Sequence, residues 1–163
     1  GKQRLSATNS PGGDTYTPSS GIWQTVWLET VQNTYINKIH INQASLSTVI
    51  VSADVKGNNG KVSDIIFEVL DPTTGKVLVS NSGKMNQNVE LIISNPSLWS
   101  PDSPYLYDLR VTVDNNNGGG DTVLSYFGLR TFELQKDGKR PIFNGQFRFL
   151  AGFLDQSWWV SNF

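Results

Sequence analysis

The sequence predicts an all-β chain, a two-sheet antiparallel sandwich, on three observations. Charged residues make up only 17% of its 163 residues, with one Met and four Glu, which leaves little material for amphipathic helices. Val, Ile, Thr and aromatic residues recur in short blocks, the composition of strands. Gly, Pro, Asn and Asp punctuate those blocks roughly every 8–12 residues, as turns do between short strands.

Residues 6–20 are rich in Ser, Thr, Pro and Gly and read as a loop broken at Pro11-Gly12-Gly13. Residues 22–29 follow as a strand apolar on both faces, which needs cover on both sides. Trp23 and Trp27 are therefore expected to pack against something other than the sandwich. From Tyr35 the alternation is cleaner, with Tyr35, Asn37, Ile39 and Ile41 on one face and Ile36, Lys38, His40 and Asn42 on the other. Val49, Val51, Ala53 and Val55 form the next inward set, ended by the turn Gly57-Asn58-Asn59-Gly60. Ile65, Phe67 and Val69 point inward after it, with Asp64 and Glu68 outward.

The run Asp71-Pro72-Thr73-Thr74-Gly75 is a turn in which Pro presets φ and Gly supplies a positive φ. Short strands at 77–79 and 89–93 follow. Tyr107, Leu109, Val111 and Val113 then alternate before a long turn at 114–121, and residues 123–134 close the series. About seven strands at this spacing make an immunoglobulin-like sandwich over residues 31–134. In the tail, Asn144-Gly145 is a hairpin signature. Residues 146–154 become a nearly continuous apolar run, a strand suited to the middle of a parallel sheet or barrel.

Several function classes are disfavoured. A chain of this length builds a self-sufficient core, burying roughly 70% of its unfolded surface. Cysteine is absent, which removes disulfides, thiolate nucleophiles and Cys-ligated zinc. Thirteen Lys and Arg against fourteen Asp and Glu give a net charge of −1, against the clustered basic charge that nucleic acid or an anionic membrane requires. The longest apolar runs fall well short of the roughly 18 residues that span a bilayer. The start Gly1-Lys2-Gln3-Arg4 lacks the apolar core of a secretory signal, which a mature chain would have lost. The expectation is a soluble globular protein.

Paired carboxylates, the usual hydrolytic device, are not evident. Glu29, Glu68, Glu90 and Glu133 are spread over different strands on outward faces or strand ends, whereas glycosidases hold two carboxyls about 5–9.5 Å apart in a cleft. The lone His40 shares its face with Lys38 and Asn42, and no Gly-x-Ser-x-Gly elbow accompanies it. One His and no Cys leave no transition-metal site, and no cofactor is expected. The Gly118-Gly119-Gly120 run does not lead from a strand into a helix, so it reads as a hairpin tip. The five tryptophans offer sugar-stacking faces or core filling. Trp23, Trp27 and Trp99 are read as packing residues, while for Trp158 and Trp159 both readings stay open.

Four segments resemble, in order, those of glycoside hydrolase family 2, the β-galactosidase and β-glucuronidase family. Ser19-Ser20-Gly21-Ile22-Trp23-Gln24-Thr25-Val26-Trp27-Leu28-Glu29 resembles the end of its sugar-binding domain. Asn95-Pro96-Ser97-Leu98-Trp99-Ser100-Pro101-Asp102-Ser103-Pro104-Tyr105-Leu106-Tyr107 is similar to the NPxLWSPDxPYLY segment of its immunoglobulin-like domain. Phe127-Gly128-Leu129-Arg130 resembles its FGxR strand, and Phe143-Asn144-Gly145 its LNG hairpin.

The resemblance implies that residues 1–30 are the last strands of a jelly-roll domain, residues 31–134 the sandwich, and residues 135–163 the hairpin and first strand of a catalytic (β/α)₈ barrel. Groups at the C-terminal ends of barrel strands face substrate, so Asp155, Gln156, Trp158 and Trp159 are the candidate sugar-contacting residues. Ser157-Trp158-Trp159-Val160 departs from the Gln-Gly-Tyr-Trp-Pro pattern of many relatives. The resemblance also places both catalytic glutamates of the family after Phe163. The chain is therefore expected to be a non-catalytic module of a family 2 glycosidase. Its partners would be the parent enzyme's remaining domains or a second copy of itself. The alternatives are a free-standing carbohydrate-binding protein and, less favoured, rewired chemistry using Asp155 with Gln156 or Arg148. Family habit alone points to secretion.

Overall fold

The structure, a computed structural model, describes residues 20–22, 24–57, 64–113 and 120–154. The chain divides into two compact units, one of Thr30–Leu150 and one of Gly1–Glu29 with Ala151–Phe163. The described residues are all-β, with ten strands and no helix. All ten strands lie in the first unit.

Seven strands form the two sheets of the sandwich. One sheet has the order β1 (Thr34–Gln43), β2 (Thr48–Gly57), β5 (Val89–Ile92). The other has the order β4 (Val77–Gly83), β3 (Ile65–Leu70), β6 (Tyr107–Val113), β7 (Asp121–Phe127). Every pairing is antiparallel. This is the immunoglobulin-like sandwich that the strand spacing predicts.

Period-2 patterning sets the core. Val49, Val51 and Ala53 of β2, Ile65, Phe67 and Val69 of β3, and Leu109, Val111 and Val113 of β6 are fully buried. Each of these side chains except Ala53 contributes about 1.5–3 kcal/mol relative to exposure, so the three inner strands carry most of the apolar driving force. Across the sheets, the Ile36 N–H donates to Asp121 Oδ2 at 2.9 Å.

The expected alternation in β1 needs a correction. Strict alternation puts Ile36 opposite Ile39 and Ile41, yet Ile36 is buried and both others pack against the same core. The register shifts between Ile36 and Lys38: Ile36 pairs with Val55, and Ile39 and Ile41 pair with Ala53 and Val51. A β-bulge inserts one extra residue, here Asn37, and so returns all three isoleucines to one face.

The turn after β3 follows its sequence. Asp71 Oδ1 accepts hydrogen bonds from the Thr73 N–H at 3.1 Å, the Thr74 N–H at 2.8 Å and the Thr74 hydroxyl at 2.9 Å. Gly75, at φ +68°, closes the turn. The Tyr105 hydroxyl donates to Asp71 Oδ2 at 2.9 Å, tying the turn to the segment before β6. These bonds, those from Thr74 foremost, hold the Asp71 carboxyl below its ordinary 3.8. Burial, then the Asp71 carboxylate, push the Tyr105 phenol up to about 12 from 10.0.

A raised phenol pKa means that the fold retains a proton the unfolded chain loses. The stabilisation from Tyr105 is therefore complete below pH 10.0 and is lost as pH rises toward about 12. Urea midpoints measured across that range should fall for the parent chain and stay flatter for Tyr105→Phe. Equal slopes would remove the assignment.

Two further expectations are corrected. Residues 123–134 do not form one strand: β7 ends at Phe127, and β8 (Phe132–Leu134) leaves the sandwich to pair with β9 (Pro141–Phe143). β9 in turn pairs with β10 (Gln146–Phe147), giving a third, small sheet. The chain leaves the sandwich at Gly128, where an added Cβ would lie 3.1 Å from the Trp99 Cβ and 3.2 Å from a Leu106 methyl. Among the described residues the strand expected at 22–29 is not formed, and the one expected over 146–154 stops at Phe147. Among the described residues, 22, 24–29 and 148–154 have no strand pairing, and Ile22, Trp27, Leu28, Phe153 and Leu154 are exposed. A strand apolar on both faces is stable only between partners, and no described residue forms a strand beside these segments.

Candidate functional site

Three of the four segments singled out in the sequence, those around Trp99, Gly128 and Asn144, meet at one place, the joint between the sandwich and the β8–β10 sheet. Its pivot is Asn144. Asn144 and Gly145 have φ of +48° and +79°, both positive as a two-residue type I′ hairpin turn requires. That turn places Gln146 opposite Phe143 and projects the Asn144 side chain back into the joint.

Asn144 ties three segments together. Its N–H donates to Thr131 O at 3.0 Å, and the Thr131 N–H donates to Asn144 Oδ1 at 2.9 Å. The Nδ2 amide donates to Trp99 O at 3.0 Å, while the Trp99 N–H donates to Leu129 O at 2.9 Å. The Trp99 ring packs on Phe143 at a centroid separation of 5.8 Å, and the Arg130 guanidinium lies 5.0 Å over it as a cation–π partner. The Arg130 N–H donates to Gln43 Oε1 at 3.2 Å, carrying the joint onto the end of β1.

The Pro101-Asp102 turn is closed by reciprocal backbone hydrogen bonds between Ser100 and Ser103. Arg148 grips it, donating from Nη1 and Nη2 to the two Asp102 oxygens at 2.7 and 3.0 Å. The guanidinium lowers the Asp102 carboxyl, by hydrogen bonding first and by charge second. The same pairing raises Arg148. Both groups are open to water, so the fork orients the chain more than it stabilises it. Deeper in, the Ser97 N–H donates to the Tyr107 hydroxyl at 2.6 Å, and the Tyr107 ring stacks on Phe127 and meets Tyr105 edge-on.

This arrangement joins segments, and its groups are amide, aromatic and guanidinium, with one surface carboxylate. The four glutamates lie elsewhere: Glu29 and Glu133 are exposed, Glu90 sits outward on β5, and Glu68 accepts from Arg110 Nε at 2.7 Å across β3 and β6. His40 is exposed on β1 opposite Ser52. Among the described residues no three His, Asp or Glu side chains converge as a metal site would need.

Of the residues proposed from sequence, Trp99 is half-buried in the joint, and Trp27 is 73% exposed in the other unit. Trp23, Asp155, Gln156, Trp158 and Trp159 lie outside the described residues. Sequence reasoning assigned Asn144 to a turn and missed its side-chain role. The Asn-Gly signature locates the hairpin but carries no record of Thr131 or Trp99, which are 13 and 45 residues away.

The model of the family described as glycosyl hydrolases family 2 matches residues 34–130. A β-galactosidase of Halalkalibacterium halodurans is 32% identical over 140 residues, spanning 77% of this chain and 14% of its own length. A β-galactosidase of Thermoanaerobacter pseudethanolicus is 28% identical, across 77% of this chain and 18% of its own. The crystal structure of Ruminococcus gnavus β-glucuronidase superposes with a TM-score of 0.57 at 21% identity, covering 74% of this chain and 19% of that one. The likeness to that structure is one of fold. This chain thus spans under a fifth of each of these three proteins.

Proposed function

The chain belongs to glycosyl hydrolases family 2, and from that premise we propose that it is a non-catalytic structural module of a family 2 glycosidase. In the parent enzyme, which would hydrolyse O-glycosyl bonds, the sandwich holds the sugar-binding and catalytic domains in register. The observation that carries this reading is the use made of the shared motifs. Trp99, Gly128, Arg130 and Asn144 pack and hydrogen-bond to one another's segments, building a joint between two sheets. On the family resemblance, both reactive glutamates follow the segment matched here, and glycoside hydrolysis without its acid/base and nucleophile loses both carboxylate roles.

The purified 163-residue chain should not turn over nitrophenyl β-galactoside, β-glucuronide or β-mannoside. Turnover that persists through repeated purification would overturn the proposal. Titrating oligosaccharides against tryptophan fluorescence separates the competing reading of a free-standing carbohydrate-binding protein. That reading requires a saturable shift, and the structural module gives none.

Within the Thr30–Leu150 unit, Phe132, Leu134, Phe147, Phe149 and Leu150 are exposed around the β8–β10 sheet. Apolar side chains grouped in this way mark a contact surface. We assign it to the parent's remaining domains, and the isolated chain should associate through it. Light scattering is then expected to show a mass that rises with concentration; a strict monomer would count against the assignment.

A further inference from the structure

The sequence contains three Asn-Gly steps, Asn59-Gly60, Asn117-Gly118 and Asn144-Gly145. Of these, only Asn144-Gly145 lies among the described residues. Such a step carries a latent reaction, because glycine has no side chain to hinder its backbone nitrogen. The Gly145 nitrogen attacks Asn144 Cγ and loses its proton to solvent. The Cγ–Nδ2 bond then breaks, and ammonia leaves from a cyclic imide. Water opens the imide at either carbonyl, yielding aspartate or an isoaspartyl linkage. Only water is consumed, and nothing is oxidised or reduced.

At Asn144 the fold opposes the first step. The Oδ1 atom is held by the Thr131 N–H at 2.9 Å, and Nδ2, the atom that must leave, is committed to Trp99 O at 3.0 Å. Turning Cγ onto the Gly145 nitrogen requires both bonds to break, and they bind two different segments of the joint. We propose that Asn144 is a deamidation site gated by the joint between the sandwich and the β8–β10 sheet. It is spared while the joint is closed, and it reacts when the joint opens.

The reaction also prevents reclosure. An aspartate has no donor for Trp99 O and sets a negative charge against that carbonyl. An isoaspartyl linkage adds a methylene to the main chain and removes the turn with positive φ at both positions. The modification therefore marks, irreversibly, molecules whose β8–β10 sheet has come away from the sandwich. This inference does not depend on the proposed function.

The test follows the peptide containing Asn144 by mass spectrometry as the full chain ages in mildly alkaline buffer, with and without concentrated urea. Two hydrogen bonds are expected to slow the native reaction by about tenfold or more relative to the unfolded chain. Equal rates would overturn the gate. Trp99→Ala, which removes the ring packed on Phe143 but keeps the main chain, should raise the native rate severalfold. If that variant does not fold, the parent chain at urea concentrations below its unfolding transition supplies the same comparison. Hydrogen exchange of β8–β10 in the aged, deamidated chain should be faster than in fresh protein while β3 and β6 stay protected. Unchanged exchange would show that the joint tolerates the product, and would refute the second half of the proposal.

Discussion

Phe67→Ala is expected to lower the unfolding free energy by about 3–5 kcal/mol, the range for truncating a buried phenylalanine. Phe67 is fully buried on β3, which has a partner on each side, β4 and β6. Its backbone register is fixed against Asn81 and Val111, so the surrounding sheet has little freedom to collapse into the space left behind. Domains are stable by about 5–15 kcal/mol, so the substitution removes a large share of the total. Urea unfolding should show a lower midpoint with an unchanged slope. Phe67→Leu, which conserves more volume, should cost less than half as much. A loss under about 1 kcal/mol for Phe67→Ala would mean that the core repacks freely, contrary to a close-packed interior.

Asn144→Ala should have the second-largest effect, about 2–5 kcal/mol, concentrated in the joint. Two terms contribute. The Thr131 N–H and Trp99 O lose their side-chain partners, at about 0.5–1.5 kcal/mol for each bond. Alanine must also adopt φ near +48°, which costs an ordinary L-residue about 1–2 kcal/mol. Asn144→Gly separates them, since it keeps the backbone freedom and loses only the hydrogen bonds. The expected order is Asn above Gly above Ala, read as hydrogen-exchange protection of Thr131 and of β8–β10. Equal protection in all three would mean that the amide does not hold the joint.

The strands were legible because each carries its own pattern. Phe67 and Val111 are inward in the alternation and buried in the fold. The Asp71-Pro72-Thr73-Thr74-Gly75 turn forms from its own residues. Ile36 was misread because a bulge leaves no mark in a period-2 pattern; only pairing with Val55 and Ala53 reveals the extra residue. Residues 22–29 look like a strand by composition, but a strand also needs a partner. The candidate sugar contacts beyond Leu154 rested on resemblance to a family pattern and lie outside the described residues.

The sequence by itself determined the all-β class, the inward residues of β2, β3 and β6, the turns at Asp71 and Asn144, and the resemblance to a family. Each depends on interactions within a few residues or on a periodicity written along the chain. Tertiary structure alone decided that Trp99, Arg130 and Asn144 form one joint, that β8 leaves the sandwich, and that Asn144 holds Thr131 and Trp99. Those are contacts between distant segments, and a hydrogen bond acts over about 3 Å of space however many residues of chain lie between its partners.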